Sequence, residues 1–278
     1  KGYPGWRVCD RIISNRAMQA VVLGVDPKRV VPELARRLSQ GPGEIRTAES
    51  APCKEQIWLG KEADLLRLPI AIHSEGDGGR YIGGGIHITR DPDTGVQNEC
   101  ILRTQIKGRH HTGFMMARRH SFEHFKKHQS RKEPMPMAIA IGLHPAYEIA
   151  AVYSGRHAGH DEFALAASLL GEPVELVRCE TSDIMVPACA EIVIEGEISM
   201  DEREIEGPFG EFTAYMGKAA ERPIWRVKAI TLRKNPIYRH LNASLYTDHQ
   251  SLGTLPNEAE LYQNLSRVYG NTEILDVF

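Results

Sequence analysis

The sequence lacks the features that mark several classes of protein. Its five cysteines are widely spaced and form no C-x-x-C pair, which argues against a disulfide framework and favours a reducing, cytoplasmic environment. No apolar run approaches the ~18 residues of a membrane span, and no signal-peptide pattern opens the chain. Neither sign of charge is in excess, since 34 Lys and Arg stand against 36 Asp and Glu, a formal net charge of −2. Nucleic acid is therefore not expected as a partner, because phosphate backbones require a basic surface.

The composition that is present is typical of a globular protein, with 42% hydrophobic and 25% charged residues and no internal repeat. A length of 278 residues favours about two domains. Apolar periodicity predicts an α+β fold whose strand-rich middle forms an antiparallel barrel or sandwich. Strands are predicted at 81–89, 99–106, 137–141, 174–177, 191–198, 225–232 and 237–241. Helices are predicted at 28–39, 119–132 and 258–269, and from a cap at Asp161 to Leu170.

Capping and turn residues predict where some of these elements begin and end. Asp161 is a helix N-cap and Gly171 a C-terminal stop, and Asn257 and Gly270 occupy the same two positions around the last helix. The Asp91–Gly95 segment combines Pro, Asp and Gly as tight turns do. The strands on either side of it are therefore predicted to form a β-hairpin.

The first candidate site lies on this hairpin, where Asn98 and Arg103 follow the glycine-rich segment Gly83–Gly85. Glycine permits close approach of a ligand to the backbone. An ordinary strand with polar residues facing water is the alternative interpretation. Because the two side chains are an odd number of residues apart, a regular strand would place them on opposite faces.

The second candidate is a histidine cluster, with His120, His124 and His128 spaced four residues apart on one helix. Two histidines at this spacing can bind one metal ion. A zinc-protease helix would carry Glu after the first histidine, whereas Ser121 stands here. The neighbouring lysines and arginines indicate that His124 and His128 lie on a solvated basic face. One histidine contributing to a mixed-ligand site is favoured over a triple-histidine zinc site.

The third candidate is the hexapeptide Glu206–Glu211, in which two carboxylates flank Gly-Pro-Phe-Gly. Neighbouring carboxylates in a partly apolar site separate each other's pKa values, so that one can act as a general acid. A loop with two exposed acids is the alternative. Two glycines and a proline between the carboxylates indicate a specified backbone, which a solvated connector does not need.

Taken in order, these segments resemble the UbiD family of prenylated-flavin-dependent decarboxylases. Single motifs are weak, whereas the ordered series is specific to the family. Besides the hairpin and the hexapeptide, the series includes Ser50–Glu55, Asp64–Pro69, Asp77–Ile82, Ile88–Gly95, Gly142–Ala146, Asp161–Ala166 and Ala190–Gly196.

The resemblance implies a central split β-barrel, similar to flavin reductases, flanked by α/β segments. Residues 1–75 would be part of an N-terminal α/β domain, and 76–245 the barrel that binds prenylated FMN. Residues 246–278 would begin a C-terminal α/β oligomerisation domain, because chains of the family continue further. The resemblance also implies a homodimer or a higher homo-oligomer.

The resemblance further implies a cofactor site for prenylated FMN, which a flavin prenyltransferase supplies. A divalent metal, usually Mn²⁺, would be held by Asn98, His120 and Glu162 and would anchor the flavin phosphate, with K⁺ as a second ion. Oxygen ligands and one imidazole suit such a cation. Further cofactor contacts would come from Cys100, Ile101, Arg103, Arg119, Val152, Tyr153 and Ser154.

The catalytic residues implied by the resemblance are Arg103, Glu206 and Glu211. Arg103 would hold the substrate carboxylate, Glu206 would set the protonation of the network, and Glu211 would supply the proton that replaces CO₂. The reaction would be the reversible, non-oxidative decarboxylation of an aromatic, heteroaromatic or α,β-unsaturated carboxylic acid through a covalent adduct with the cofactor.

Two other functions fit parts of the pattern. One is a split-barrel FMN oxidoreductase, and the other is a non-catalytic subunit of a larger carboxylase that binds flavin or metal. Glu211 separates the first of these from a decarboxylase, because a reductase needs no proton donor opposite an arginine.

Overall fold

Strands and helices are intermixed along the chain in the computed structural model. The structure describes residues 2–154, 161–243 and 247–269 together with Ile274 and Val277. The helices are α1 (Arg16–Leu23), α2 (Val30–Ser39), α3 (His120–Arg131), α4 (Pro145–Val152), α5 (Glu162–Leu170) and α6 (Asp248–Tyr269). The strands are β1 (Arg7–Cys9), β2 (Ile45–Thr47), β3 (Gln56–Leu59), β4 (Tyr81–Ile82), β5 (Gly85–Arg90), β6 (Gln97–Ile101), β7 (Thr104–Ile106), β8 (His111–Phe114), β9 (Met135–Ile141), β10 (Val174–Arg178), β11 (Met185–Pro187), β12 (Ile192–Glu206), β13 (Phe209–Gly210), β14 (Met216–Gly217), β15 (Ala220–Leu232) and β16 (Ile237–Arg239).

The central sheet is antiparallel and curls into a half-barrel with the order β4-β7-β8-β15-β12-β9-β5-β6. Strand β3 also pairs with β15. The two longest strands, β12 and β15, change register after Glu195 and again after Ile198, and such irregularities bend a strand. The predicted α+β class is confirmed. The likeness to flavin reductases and the division into three domains stay predictions.

Consecutive residues of β9 are apolar and point to alternate faces of this sheet, so the strand contributes to the core on both sides. Met137, Ile139 and Ile141 join one buried cluster, which also contains Trp225. Ala138 and Ala140, between them in sequence, join a second cluster with residues of α2, α4 and α5. A smaller sheet of order β11-β10-β2 lies beside these helices, and β1 pairs with β16 in parallel.

The predicted hairpin is confirmed, but each of its strands is broken in the middle. Gly95 has a φ of 77°, and the Asp91 amide donates to the Val96 carbonyl at 2.8 Å. Beyond this turn, β5 and β6 pair with each other and β5 pairs with β9, whereas β7 pairs with β4 and β8. One half of the hairpin, β5 and β6, therefore lies at one end of the curled sheet, and the other half, β4 and β7, lies at the opposite end. A Cβ on Gly83 would overlap the Leu241 carbonyl at one of the breaks, so close packing requires glycine there.

The start of the last helix was predicted wrongly. α6 begins at Asp248 and continues through Pro256, and the Asn257 side chain donates to the Gly253 carbonyl within it at 2.8 Å. The Asp248 carboxylate accepts from the Ile12 and Ile13 amides and pairs with a buried arginine. These tertiary contacts fix the start of the helix, and a local cap at Asn257 is not needed. The predicted stop at Gly270 lies outside the described residues.

Helix α5 agrees with its predicted cap and stop. The Asp161 side chain accepts from the Phe163 and Ala164 amides, and Gly171 has a φ of 78°. Helices α1 and α4 were not predicted. No helix in the described ranges has the length and apolar character needed to cross a membrane.

Candidate active site

Two adjoining cavities lie beside the broken hairpin. The larger, about 540 Å³, is bounded by β6, the start of α3 and the end of α4. The predicted cofactor contacts that line it are Asn98, Cys100, Ile101, Arg119, His120, Val152, Tyr153, Ser154 and Glu162. The smaller, about 150 Å³, is lined by Arg103 and shares Ile101 and Val152 with the larger. All ten residues predicted to contact the cofactor therefore line this pair of cavities.

The three predicted metal ligands converge from separate elements. Asn98 lies in β6, and His120 and Glu162 are the first residues of α3 and α5. The His120 Nδ1 is 3.1 Å from the Asn98 Oδ1, and the Glu162 carboxylate accepts from the Glu99 amide at 3.2 Å. The Asn98 amide also donates to the Ser121 hydroxyl at 2.8 Å, which leaves its oxygen turned toward His120.

The charges around these residues suit a cation. Glu99 is buried, and within the described part of the chain its Oε2 has no hydrogen-bond partner. Burial raises the pKa of Glu99 well above its usual range, and the neighbouring Glu162 carboxylate raises it further. A divalent ion would relieve this crowding of carboxylates. One amide oxygen, one imidazole and one carboxylate are ligands that Mn²⁺ or Mg²⁺ accepts.

The remaining histidines of α3 are not on a solvated face, so that prediction was wrong. His124 and His128 are buried, and the His124 Nδ1 is 3.0 Å from the Thr89 hydroxyl. Their four-residue spacing places both on the buried side of the helix, whereas Lys126 is exposed and Lys127 extends to Asp91 at the end of β5. No group of three or more His, Cys, Asp or Glu residues is placed to hold a metal in the ranges that the structure covers.

Arg103 joins the two predicted catalytic carboxylates. Its Nε and Nη2 donate to the two Glu206 oxygens at 3.0 and 2.9 Å, and its Nη1 donates to Glu211. Glu206 is fully buried, whereas the Glu211 side chain is 28% exposed. Burial lowers the pKa of Arg103, but the Glu206 hydrogen bonds and charge outweigh it and the pKa is raised overall. Arg103 therefore stays a cation at the end of the smaller cavity.

The break in the hairpin explains how Asn98 and Arg103 can face adjoining cavities although they are an odd number of residues apart. Leu102 and Arg103 lie between β6 and β7 and belong to neither strand. The alternation of a regular strand therefore does not apply across them, and Asn98 and Arg103 reach adjacent cavities.

Glu206 and Glu211 are held by a backbone with little freedom. Gly207 has a φ of 93°, and its amide donates to the Gln105 side chain at 3.0 Å. Tyr81 donates its hydroxyl to Glu206 at 3.1 Å. The specified backbone that was predicted for the hexapeptide is therefore present.

Several residues of the smaller cavity were not predicted. The centroid of the Phe209 ring lies 5.4 Å from the Arg103 Cζ. Leu241, His249 and Leu252 also line this cavity. His249 and Leu252 belong to α6, whose start was misplaced. No local pattern indicates that this helix reaches Arg103, because about 150 residues separate them in the sequence.

Comparison with known proteins assigns the family. A profile of the UbiD family, described as the 3-octaprenyl-4-hydroxybenzoate carboxy-lyase Rift-related domain, matches residues 45–244. The chain belongs to the UbiD family. Among UbiD relatives, the phenolic acid decarboxylase of Bacillus subtilis (strain 168) is 33% identical over 281 residues, which cover 97% of this chain and 59% of the relative. The pyrrole-2-carboxylic acid decarboxylase of Pseudomonas aeruginosa is 36% identical and covers 76% of this chain, with 43% of its own length matched.

Solved UbiD structures have the same fold. An evolved dimeric form of the UbiD-class enzyme HmfF from Pelotomaculum thermopropionicum, in complex with prFMN, superposes with a TM-score of 0.88 at 40% identity. That match covers 96% of this chain and 62% of HmfF. The closed form of the vanillic acid decarboxylase of Sedimentibacter hydroxybenzoicus also gives 0.88, at 30% identity, over 97% of this chain and 59% of that one. The chain therefore spans about two fifths to three fifths of the length of these relatives.

Proposed function

We propose that this chain is the cofactor-binding part of a UbiD-type decarboxylase that releases CO₂ from a phenolic or heteroaromatic carboxylic acid. The observation that carries the proposal is the Arg103 guanidinium, which is held by two carboxylates and lines the smaller of two adjoining cavities. The relatives act on acids of these two classes, as their names state. α,β-Unsaturated acids belong to the same proposal, since Arg103 reads the carboxylate rather than the ring.

The residues of the larger cavity fit the phosphate end of prenylated FMN. Asn98, His120 and Glu162 would hold Mn²⁺, which in turn would hold the phosphate, and K⁺ would be the second ion. Ile101 and Val152 line both cavities, so they would contact the ring system between the phosphate and Arg103. When bound, prenylated FMN supplies the electron-accepting centre that the loss of CO₂ requires.

Arg103 would bind and orient the substrate carboxylate. It is the member of the catalytic group that lines a cavity directly, and its guanidinium can form two parallel hydrogen bonds with a carboxylate. Glu206 accepts from two of its nitrogens and so fixes the plane of the guanidinium. A fixed plane orients the substrate before reaction, which lowers the entropic part of the barrier.

Glu211 would act as the proton donor. Its carboxyl contacts the Arg103 Nη1 and is partly exposed, so it can take up a proton from solvent between turnovers. Glu206 has no such access to solvent, because it is fully buried and both of its oxygens accept from Arg103. The two carboxylates therefore have different roles, one structural and electrostatic and one in proton transfer.

The complete enzyme is proposed to be a homo-oligomer that receives its cofactor from a flavin prenyltransferase. An evolved form of HmfF is dimeric, which supports an oligomer. The complete gene, co-expressed with a flavin prenyltransferase, should yield protein with the visible absorption of a modified flavin and with bound Mn²⁺. That protein should release CO₂ from some members of a panel of phenolic, heteroaromatic and acrylic acids.

The control is the same gene expressed without the prenyltransferase, which should bind metal but release no CO₂. Loaded protein that retains neither flavin nor Mn²⁺, or that releases no CO₂ from any acid of the panel, would contradict the proposal. Reduction of free FMN by NADH instead would favour the oxidoreductase.

A further inference from the structure

Asp77 connects two loops that are more than 130 residues apart in the sequence. Its Oδ2 accepts from the backbone amides of His73 and Ser74 at 3.0 and 2.8 Å, which closes its own loop. Its Oδ1 accepts from the amide of Gly210 at 2.8 Å. Gly210 immediately precedes Glu211, so one carboxylate fixes both a tight turn and the backbone that carries the proposed proton donor.

The two loops are packed too closely for side chains at several positions. The Gly78 amide donates to the Pro208 carbonyl at 2.8 Å, and a Cβ on Gly78 would overlap the carbonyl oxygen of Gly207. A Cβ on Gly210 would lie 3.2 Å from the Ser74 Cβ. The glycines thus allow the contact, and the Asp77 carboxylate supplies its charge-assisted hydrogen bonds.

The backbone at Glu211 is restrained on both sides. The Gly210 amide is bound by Asp77, and the Glu211 amide donates to the Tyr215 carbonyl at 2.9 Å. Among the described residues, Asp77 lines neither cavity and forms no hydrogen bond or ion pair with Arg103, so its effect on the site would pass through the backbone. The Gly210 amide donates to a charged carboxylate, whereas the Glu211 amide donates to a neutral backbone carbonyl.

We propose that Asp77 is a positioning residue, which holds Gly210 so that the Glu211 carboxyl meets Arg103. The assignment rests on the proposed function and deepens it by adding a residue that acts on Glu211 without touching the reacting atoms. Displacement of a reacting group by about 1 Å can cost about 100-fold in rate.

Two substitutions at Asp77 separate the roles of its two oxygens. Asp77→Asn keeps one acceptor oxygen, which should stay with the two amides of His73 and Ser74, so that its NH2 group faces the Gly210 amide and that hydrogen bond is lost. Asp77→Ser keeps a short acceptor that can close the turn more weakly and loses the bond to Gly210. The matched control is Asp26→Asn, because Asp26 caps a turn in the same manner, by accepting from the Lys28 amide at 2.9 Å, far from the hexapeptide.

Amide hydrogen exchange and steady-state kinetics of the complete enzyme test the proposal. Both Asp77 variants should increase exchange at least tenfold in peptides spanning 207–213, with the flavin absorption retained. The kcat for CO₂ release should fall about 10- to 100-fold while KM changes less than about threefold, since Arg103 still binds the carboxylate. Asp26→Asn should change neither quantity.

Unchanged exchange at 207–213 in both variants would overturn the proposal, as would an equal effect of Asp26→Asn. A rise in KM with kcat unchanged would also overturn it, since that places Asp77 in substrate binding. Amide hydrogen exchange measures how firmly the backbone at Gly210 is held, whether or not the enzyme releases CO₂. An unsubstituted enzyme that releases no CO₂ would therefore refute the proposed function, while the exchange result would still decide the role of Asp77.

Discussion

Arg103 donates to both carboxylate oxygens of Glu206, which is fully buried, while the Arg103 side chain is 9% exposed where it lines the smaller cavity. A buried carboxylate without its cation is costly, since its desolvation is no longer offset by the ion pair. The contact that is proposed to orient Arg103 for substrate therefore also offsets the desolvation of Glu206.

Loss of Arg103 alone should therefore cost more than loss of the whole pair. We expect Arg103→Met to lower the free energy of unfolding by about 3–5 kcal/mol, and Arg103→Met combined with Glu206→Leu to recover most of it. Urea unfolding followed by circular dichroism measures both. Arg46→Met at the exposed pair with Glu44 is the control and should cost less than about 1 kcal/mol. Equal costs at the two arginines would contradict the expected burial effect.

Removal of the Glu162 charge should weaken metal binding. Glu162→Gln keeps an oxygen that can accept from the Glu99 amide but loses the carboxylate charge. The affinity for Mn²⁺, measured by calorimetric titration, should fall at least about tenfold. Glu172→Gln, an exposed position just after α5, is the matched control. The ligand assignment is wrong if both variants bind Mn²⁺ equally well.

His87 should make the protein less stable in mild acid. The imidazole is fully buried, 2.7 Å from the Thr104 hydroxyl, and burial lowers its pKa to about 4. The unfolded chain then binds a proton that the folded chain does not, so stability present above pH ~6.5 is lost as the pH falls toward 4, by up to about 3 kcal/mol. His87→Gln should show a shallower decline in unfolding free energy over this range. An identical pH dependence in the variant would contradict the assignment.

Ala214 adopts a backbone conformation that favours glycine. Its φ is 65°, in the turn between β13 and β14. Ala214→Gly should raise the free energy of unfolding by about 0.5 kcal/mol, because relief of strain exceeds the added entropy of the unfolded chain. Ala35→Gly, in α2, should instead lower it by about 1 kcal/mol. Thermal unfolding of both variants provides the comparison, and destabilisation by both would contradict the strain.

Local chemistry was sufficient to predict some elements from the sequence. The turn at Asp91–Gly95 and the cap and stop at Asp161 and Gly171 depend on residues a few positions apart, and all three agree with the structure. The start of α6 depends instead on Asp248 and its buried partner Arg239. No local pattern contains that ion pair, so the prediction selected Asn257.

The site was predicted through the family resemblance more than through local patterns. Arg103 and Glu206 are 103 residues apart, and spacing alone does not indicate their contact. The burial of His124 was predicted wrongly because its neighbours in sequence are basic, although Lys127 and Arg131 extend from the helix to Asp91 and Asp93 and leave the imidazole buried. The contact between Asp77 and the Gly210 amide could not be predicted from the sequence, because 133 residues separate the two.

The most direct test of the account is the rate of CO₂ release by Glu211→Gln in the complete, cofactor-loaded enzyme. Gln keeps the size of the side chain and an oxygen for Arg103 but cannot donate the carboxyl proton. The variant should retain the flavin absorption and lose at least about 100-fold in kcat, whereas Glu221→Gln, an exposed position on β15, should match the unsubstituted enzyme. Full activity of Glu211→Gln would contradict the proposed proton donor.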